Sequence, residues 1–157
     1  KLIVFSNPVS TKNSAQLGFL PGTLTEKLLH GNIGTILGSK FGDLVEVYRL
    51  IEDRKLEILP FANLRGYDSS GKNAILYFME AQNLDIELMR LGLQRVGDDC
   101  KVIIDGDYLI QTDSSSYEGD NNGMRRMSEV FRGSDMYGEI ELCNIYRSDI
   151  ADLASKM

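Results

Sequence analysis

Three stretches of this chain end in residues that could act on a phosphate or on water. The first, Ala74-Ile75-Leu76-Tyr77-Phe78-Met79-Glu80-Ala81-Gln82-Asn83, is a hydrophobic run closing on an acid and two amides. A buried strand fixes position, and an acid at its carboxyl end can polarise water beside a nucleotide's γ-phosphate. The same layout suits any strand that leads into a helix N-terminus, where acids are favoured by the helix dipole. Further along, Cys100-Lys101-Val102-Ile103-Ile104-Asp105-Gly106-Asp107 delivers a second acidic ending, followed by Gln111 and Asp113. Neighbouring parallel strands lie about 4.8 Å apart, so groups from both edges can reach one phosphate, metal or water. Arg147 follows a third apolar run. Its guanidinium could grip a γ-phosphate bidentately or pair with Asp149 or another nearby acid.

The elements that must position these groups are legible as alternating patterns. Strand-like runs cover residues 2–6, 56–61, 74–79, 101–104 and 139–145. The third and fourth are nearly continuous hydrophobic runs, as expected of strands covered on both faces. Helical patterns fall at 24–30, 41–52, 85–96, 123–132 and 148–157. Leu88, Leu91 and Val96 can share a face of the third helix, and Gly97 stops it. Met124, Met127, Val130 and Phe131 recur at helical spacing in the fourth, and Ile150, Leu153, Ala154 and Met157 in the last, which Ser148 caps. The methionines read as core filler. Strands alternating with helices imply an α/β domain with a mostly parallel sheet, whose chemistry collects at the strands' carboxyl edges. The polar stretch 112–122 follows the fourth strand at that edge, as an active-site loop or a merely flexible one. No internal repeat or linker divides the chain, so residues 1–157 read as one domain.

Composition narrows the classes. Hydrophobic residues make up 43% and charged residues 25% of 157, which suits a globular core. No apolar run approaches the roughly 20 residues of a bilayer crossing, and the start is too β-like for a signal peptide. The chain opens inside a strand-like run at Lys1 without an initiator Met, as part of a longer protein would. A formal net charge of -6 argues against coating nucleic acid by bulk charge. Arg125 and Arg126 with Arg132 are the nearest approach to a basic groove, or a solvated helix face. Cys100 and Cys143 read as buried thiols of a reducing, cytoplasmic compartment. His30 alone offers neither a zinc site nor a catalytic triad.

Taken in order, the motifs resemble those of the PhoH family of P-loop ATPases, named for phosphate starvation-inducible proteins. Gly18-Phe19-Leu20-Pro21-Gly22-Thr23-Leu24 with Glu26-Lys27 resembles the family's G-F-L-P-G segment and the helix start after it. Arg65-Gly66 resembles its R-G step, and Glu80-Ala81-Gln82-Asn83 the end of D-E-A-Q-N, the family's Walker B segment. Gly106-Asp107 with Gln111 and Asp113 resembles G-D-P-x-Q-I-D; Asn122-Gly123 and Phe131-Arg132-Gly133 resemble S-N-G and F-K-G. Tyr146-Arg147-Ser148-Asp149-Ile150-Ala151-Asp152-Leu153-Ala154 is similar to the closing R-S-x-I/L-A-E-L-A. The resemblance covers nearly the whole chain except residues 31–55.

The resemblance implies a RecA-like P-loop NTPase core that binds ATP with Mg2+, is related to helicase-type motors, acts on RNA in some members, and forms homo-oligomeric rings. It implies that Glu80 orients the attacking water, Gln111 senses the γ-phosphate, and Arg147 contacts phosphate in its own or a neighbouring subunit. Gln82, Asp107 and Arg65 are then cofactor-binding candidates, Asp107 also for the metal. The chain departs from the pattern at five places, one of them an extra residue between Asp107 and Gln111. The phosphate-cradling G-x-x-x-x-G-K-S/T loop is absent from these residues, and in the family it lies before the strand that opens this chain. Met79 stands where the family carries the Asp that holds magnesium through water, and a thioether cannot replace that ligand. Asn7 and Tyr67 each replace an Arg. The missing P-loop strand is expected to leave a gap in the sheet with exposed apolar edges. A catalytically degenerate regulatory or interaction module is the alternative.

Overall fold

The computed structural model describes residues 1–6, 22–109, 117–142, 148, 150 and 153. Its centre is β1 (Leu2–Ser6), an apolar strand whose side chains alternate between two cores. Ile3 and Phe5 face one side, where they meet Phe61, Leu64, Leu76, Phe78, Met89 and Met127. Val4 faces the other, against Leu28, Leu29, Ile33, Val47 and Ile58. The second core is closed by α1 (Leu24–Leu29), α2 (Asn32–Phe41) and α3 (Leu44–Glu52), which lie between β1 and β2 (Leu56–Pro60). The first core is closed by a 3₁₀ turn (Phe61–Leu64), α4 (Ile86–Leu93) and α5 (Gly123–Phe131). Between these come β3 (Ile75–Met79), which α4 follows, and β4 (Lys101–Ile104).

All four strands are parallel in the order β2-β1-β3-β4, an α/β sheet with helices on both faces, consistent with a RecA-like P-loop NTPase fold. Register aligns Ser6 with Pro60 on one side and Met79 on the other, and Phe78 with Ile104, so the strands end nearly level. The four pair without an internal gap, contrary to the expectation of one. Among the described residues, β2 and β4 form the two outer edges.

Several expected elements differ. β4 is not covered on both faces among the described residues: Ile103 is 52% exposed and Val102 and Ile104 are half-buried. The run expected as a fifth strand is irregular over 139–142, where Ile140 and Leu142 are exposed and Glu139 folds back onto Ser128 and Arg132 of α5. Residues 143–147, with Cys143, lie outside the described residues. The helix expected at 41–52 is α3, which starts later: an unexpected helix, α2, ends at Phe41, Gly42 turns at φ 106°, and Asp43 caps α3 through the Glu46 amide at 2.8 Å. On α5 only Met127 of the expected apolar stripe is buried, and Val130 and Phe131 stay exposed. Ile150 and Leu153 are helical and exposed. His30 ends α1 at the surface, and Cys100 is a half-buried free thiol beside the Ser69 carbonyl.

Candidate functional site

The carboxyl end of β3 turns on Glu80. In a regular parallel ladder the Asp105 carbonyl, after β4, would accept the Glu80 amide. It accepts from Ala81 instead, at 2.8 Å, while Asp105 still donates to the Phe78 carbonyl at 3.1 Å. The displaced Glu80 amide donates to Asp105 Oδ1 at 3.0 Å. Glu80 itself adopts a left-handed backbone, φ 57° and ψ 43°, a conformation that costs a non-glycine residue about 1–2 kcal/mol. The chain thereby leaves the sheet into a 3₁₀ turn (Ala81–Asn83), and the half-buried Glu80 carboxylate accepts a hydrogen bond from Gln82 Nε2 at 2.6 Å.

Two groups brace this turn from outside. Tyr77 donates its hydroxyl to Asp105 Oδ2 at 2.8 Å, which anchors the carboxylate that holds Glu80. Asn122, 1% exposed, donates from Nδ2 to the Gln82 carbonyl at 2.9 Å and to the Tyr117 carbonyl at 2.7 Å. Its Oδ1 caps α5 by accepting the Arg125 amide. Gly106 approaches the same turn so closely that a Cβ there would lie 2.5 Å from Gln82 Oε1. Sequence reasoning missed Asp105 and Asn122 as site residues. The signal for Asn122 was its place at a helix start; Asp105 read only as part of an acidic strand ending, because its role depends on the shift in the ladder.

Electrostatics at the turn follow from partial burial. Desolvation raises the Asp105 pKa although the residue keeps an exposed side; the Tyr77 and Glu80 hydrogen bonds oppose the rise and the Glu80 charge adds to it. The Tyr77 hydroxyl is pushed up by desolvation and then by donating to the Asp105 carboxylate. Both effects keep Tyr77 a donor at neutral pH.

The structure joins Glu80 and Gln82 directly and sets Asp107 on the adjacent strand end, half-buried, with its Oδ1 accepting the Leu109 amide at 3.1 Å. Arg65 is exposed after the Phe61–Leu64 turn and lines a cleft of about 540 Å³ along α4 with Asp85, Arg90 and Gln94, apart from the Glu80–Asp105 cluster. Gln111, Asp113 and Arg147 lie outside the described residues. Met79, 5% exposed, packs in the core beside Val4, Leu28 and Ile58. Its position therefore offers no oxygen to magnesium, and among the described residues no three His, Cys, Asp or Glu gather into a metal site. Arg125 and Arg126 both pair with Glu129, and Arg132 with Glu139, as a solvated helix face does. No helix among the described residues is long and apolar enough to cross a membrane.

Comparison with known proteins agrees with this architecture. The family model described as PhoH-like protein matches residues 1–156. Protein PhoH2 of Thermobispora bispora is 29% identical over 164 aligned residues, taking in 100% of this chain and 35% of the relative. Protein PhoH of Escherichia coli K12 is 32% identical, covering 87% of this chain and 38% of its own length. A PhoH-like protein of Bacillus subtilis is 33% identical over 90% of this chain and 43% of the relative. The chain thus spans well under half the length of these curated relatives. It is similar to each of them over most of its own length, and it belongs to the PhoH-like protein family.

Proposed function

We propose that the chain is the acidic-edge portion of a nucleotide site, and that the intact protein binds ATP and hydrolyses it slowly. The observation that carries this is Glu80: a carboxylate set at the end of a buried strand, on a strained turn, hydrogen-bonded by its own neighbour Gln82. Such a group can accept a hydrogen bond from the attacking water and orient it in line with a γ-phosphate. Gln111 is assigned to sense that phosphate and Arg147 to contact it, from the same or a neighbouring subunit. Asp107 and Arg65 are assigned to the nucleotide's periphery. The backbone grip on the phosphates is not in these residues and is assigned to a Gly-Lys-Thr or Gly-Lys-Ser loop upstream of Lys1. Magnesium would accompany the triphosphate and lower its charge. With Met79 in the core, the steps assigned to this chain concern water and phosphate contacts only.

The deciding experiment is phosphate release by full-length protein with Glu80→Gln as the paired control. Release by the wild type, lost in the variant, supports hydrolysis; equal background rates in both sink it. The core position of Met79 favours a second reading, a regulatory module that keeps the fold without turnover. ATP binding without release selects that reading.

RNA as the coupled partner and a homo-oligomeric state rest on the likeness to the family alone, and a cytoplasmic location on that likeness and on the cysteine usage. An RNA contact made through phosphates would weaken steeply with added salt. Sedimentation of the full-length protein reads the oligomeric state.

A further inference from the structure

We propose that Asp105 is the positioning residue for Glu80: its carboxylate takes the Glu80 amide out of the strand ladder and thereby aims the Glu80 side chain. This inference deepens the reading of Glu80 as the group that orients water. Asp105 Oδ1 accepts the Glu80 amide at 3.0 Å, and Oδ2 accepts the Tyr77 hydroxyl at 2.8 Å. The main-chain carbonyl of Asp105 then takes the next amide, that of Ala81. One residue therefore uses its side chain and its backbone to receive two successive amides, which the ladder geometry of two regular strands does not allow. The extra step is absorbed by Glu80, at φ 57°.

The alternative conformation is defined by the same hydrogen bonds. Without the side-chain acceptor, the Glu80 amide can return to the Asp105 carbonyl and β3 runs on by one residue. Side chains alternate along a strand, so Glu80 would then take the face of Phe78, toward the apolar core under α4 and α5. A carboxylate there is away from solvent and from any water held at the strand edge. Tyr77 prevents this by fixing the Asp105 carboxylate from the same face of β3 as Met79.

The test uses full-length wild type, Asp105→Ala, Asp105→Asn and Tyr77→Phe, with hydrogen exchange and phosphate release measured on each. Asn keeps an acceptor for the Glu80 amide, and its NH2 can donate to the Tyr77 oxygen, so it serves as the conservative rescue. Exchange at the amides of residues 81–84 is expected to rise roughly 10-fold or more in Asp105→Ala, with β1 and β3 amides unchanged and Asp105→Asn close to wild type. Unchanged protection at 81–84 in the Ala variant overturns the proposal. Where Ala does not fold, Tyr77→Phe decides: loosening confined to 81–84 supports the clamp, and wild-type protection overturns it. In active protein, Asp105→Ala is expected to lower kcat by about 10- to 100-fold with KM little changed, and Asn to recover most of it; equal kcat in Ala and wild type overturns the proposal. A wild type that releases no phosphate removes the hydrolysis reading, and the exchange result alone then decides the positioning role.

Discussion

Asn122 and Gln82, forty residues apart in the chain, are joined by a buried hydrogen bond of 2.9 Å from the Asn122 amide to the Gln82 carbonyl. The same amide nitrogen serves the Tyr117 carbonyl, and its oxygen caps α5. A single side chain therefore ties the Glu80 turn, the segment before α5 and the helix itself. Asn122→Ala removes a cap and leaves two carbonyls without that donor, which is expected to cost on the order of 3 kcal/mol. Aspartate normally caps a helix as well as asparagine does. Here the introduced carboxylate would turn an oxygen toward both carbonyls, so Asn122→Asp is expected not to rescue. Denaturant unfolding of the three proteins checks this, and wild-type stability in the Asp variant would reduce Asn122 to an ordinary cap.

Glu80 offers a test in which the usual helix and strand preferences reverse. At most positions glycine is less stable than alanine by roughly 0.5–1 kcal/mol, because it has more freedom to lose. At φ 57° alanine carries left-handed strain that glycine does not. Both substitutions remove the carboxylate that Gln82 Nε2 donates to, so that loss cancels between them. Glu80→Gly is expected to unfold at higher denaturant than Glu80→Ala, by about 0.5–1 kcal/mol. The opposite order would mean that the turn relaxes to ordinary strand once the side chain is gone.

Packing of α4 on the sheet depends on the absence of a side chain at Gly92. A Cβ there would lie 2.8 Å from the Phe78 ring and 3.1 Å from Leu64 Cδ1. Phe78 cannot yield easily, since its ring is wedged edge-on against Phe5 and Phe61 at 5.5 and 5.6 Å. Alanine gains helix propensity but forces the helix outward, so Gly92→Ala is expected to lose about 1–2 kcal/mol net. A shift in the denaturation midpoint without a change in slope is the readout; a neutral result would show that α4 docks with slack.

The strands at 2–6, 56–61, 74–79 and 101–104 were legible because short β-branched and apolar runs need no tertiary information to be recognised. α2 was not, and its Gly34 and Gly38 lower helix propensity. Gly34 is instead required by contact: a Cβ there would run into the Leu29 backbone, so close approach of α1 and α2 overrides propensity. The run at 139–145 has strand composition, yet Glu139 is drawn to Ser128 and Arg132, partners that no local pattern announces. In the site, Glu80 was readable from type and position, and so was its amide neighbour Gln82. Asp105 reads in sequence only as a strand ending, because the ladder that gives it a role forms between residues 25 apart.

At the opposite, amino-terminal end of the sheet, Asp99 clamps the turn before β3 and carries a pH signature. Its carboxylate accepts the Asn73 amide at 2.6 Å and the Gly71 amide at 3.1 Å. The Asn73 bond first, with those of the Asp99 and Gly71 amides, holds its pKa below the ordinary aspartate value of 3.8. A group whose folded pKa is depressed stabilises the protein above its unfolded pKa and loses that contribution as pH falls through the folded value. Acid below about pH 4 should therefore weaken the wild type more steeply than Asp99→Asn, which carries no titrating charge. The variant starts less stable at neutral pH, because asparagine has one acceptor oxygen for two amides. The two stability curves are thus expected to converge as pH falls from about 5 to about 2.5. Denaturation midpoints across that range measure the convergence, and parallel curves would show that the clamp holds equally well when protonated.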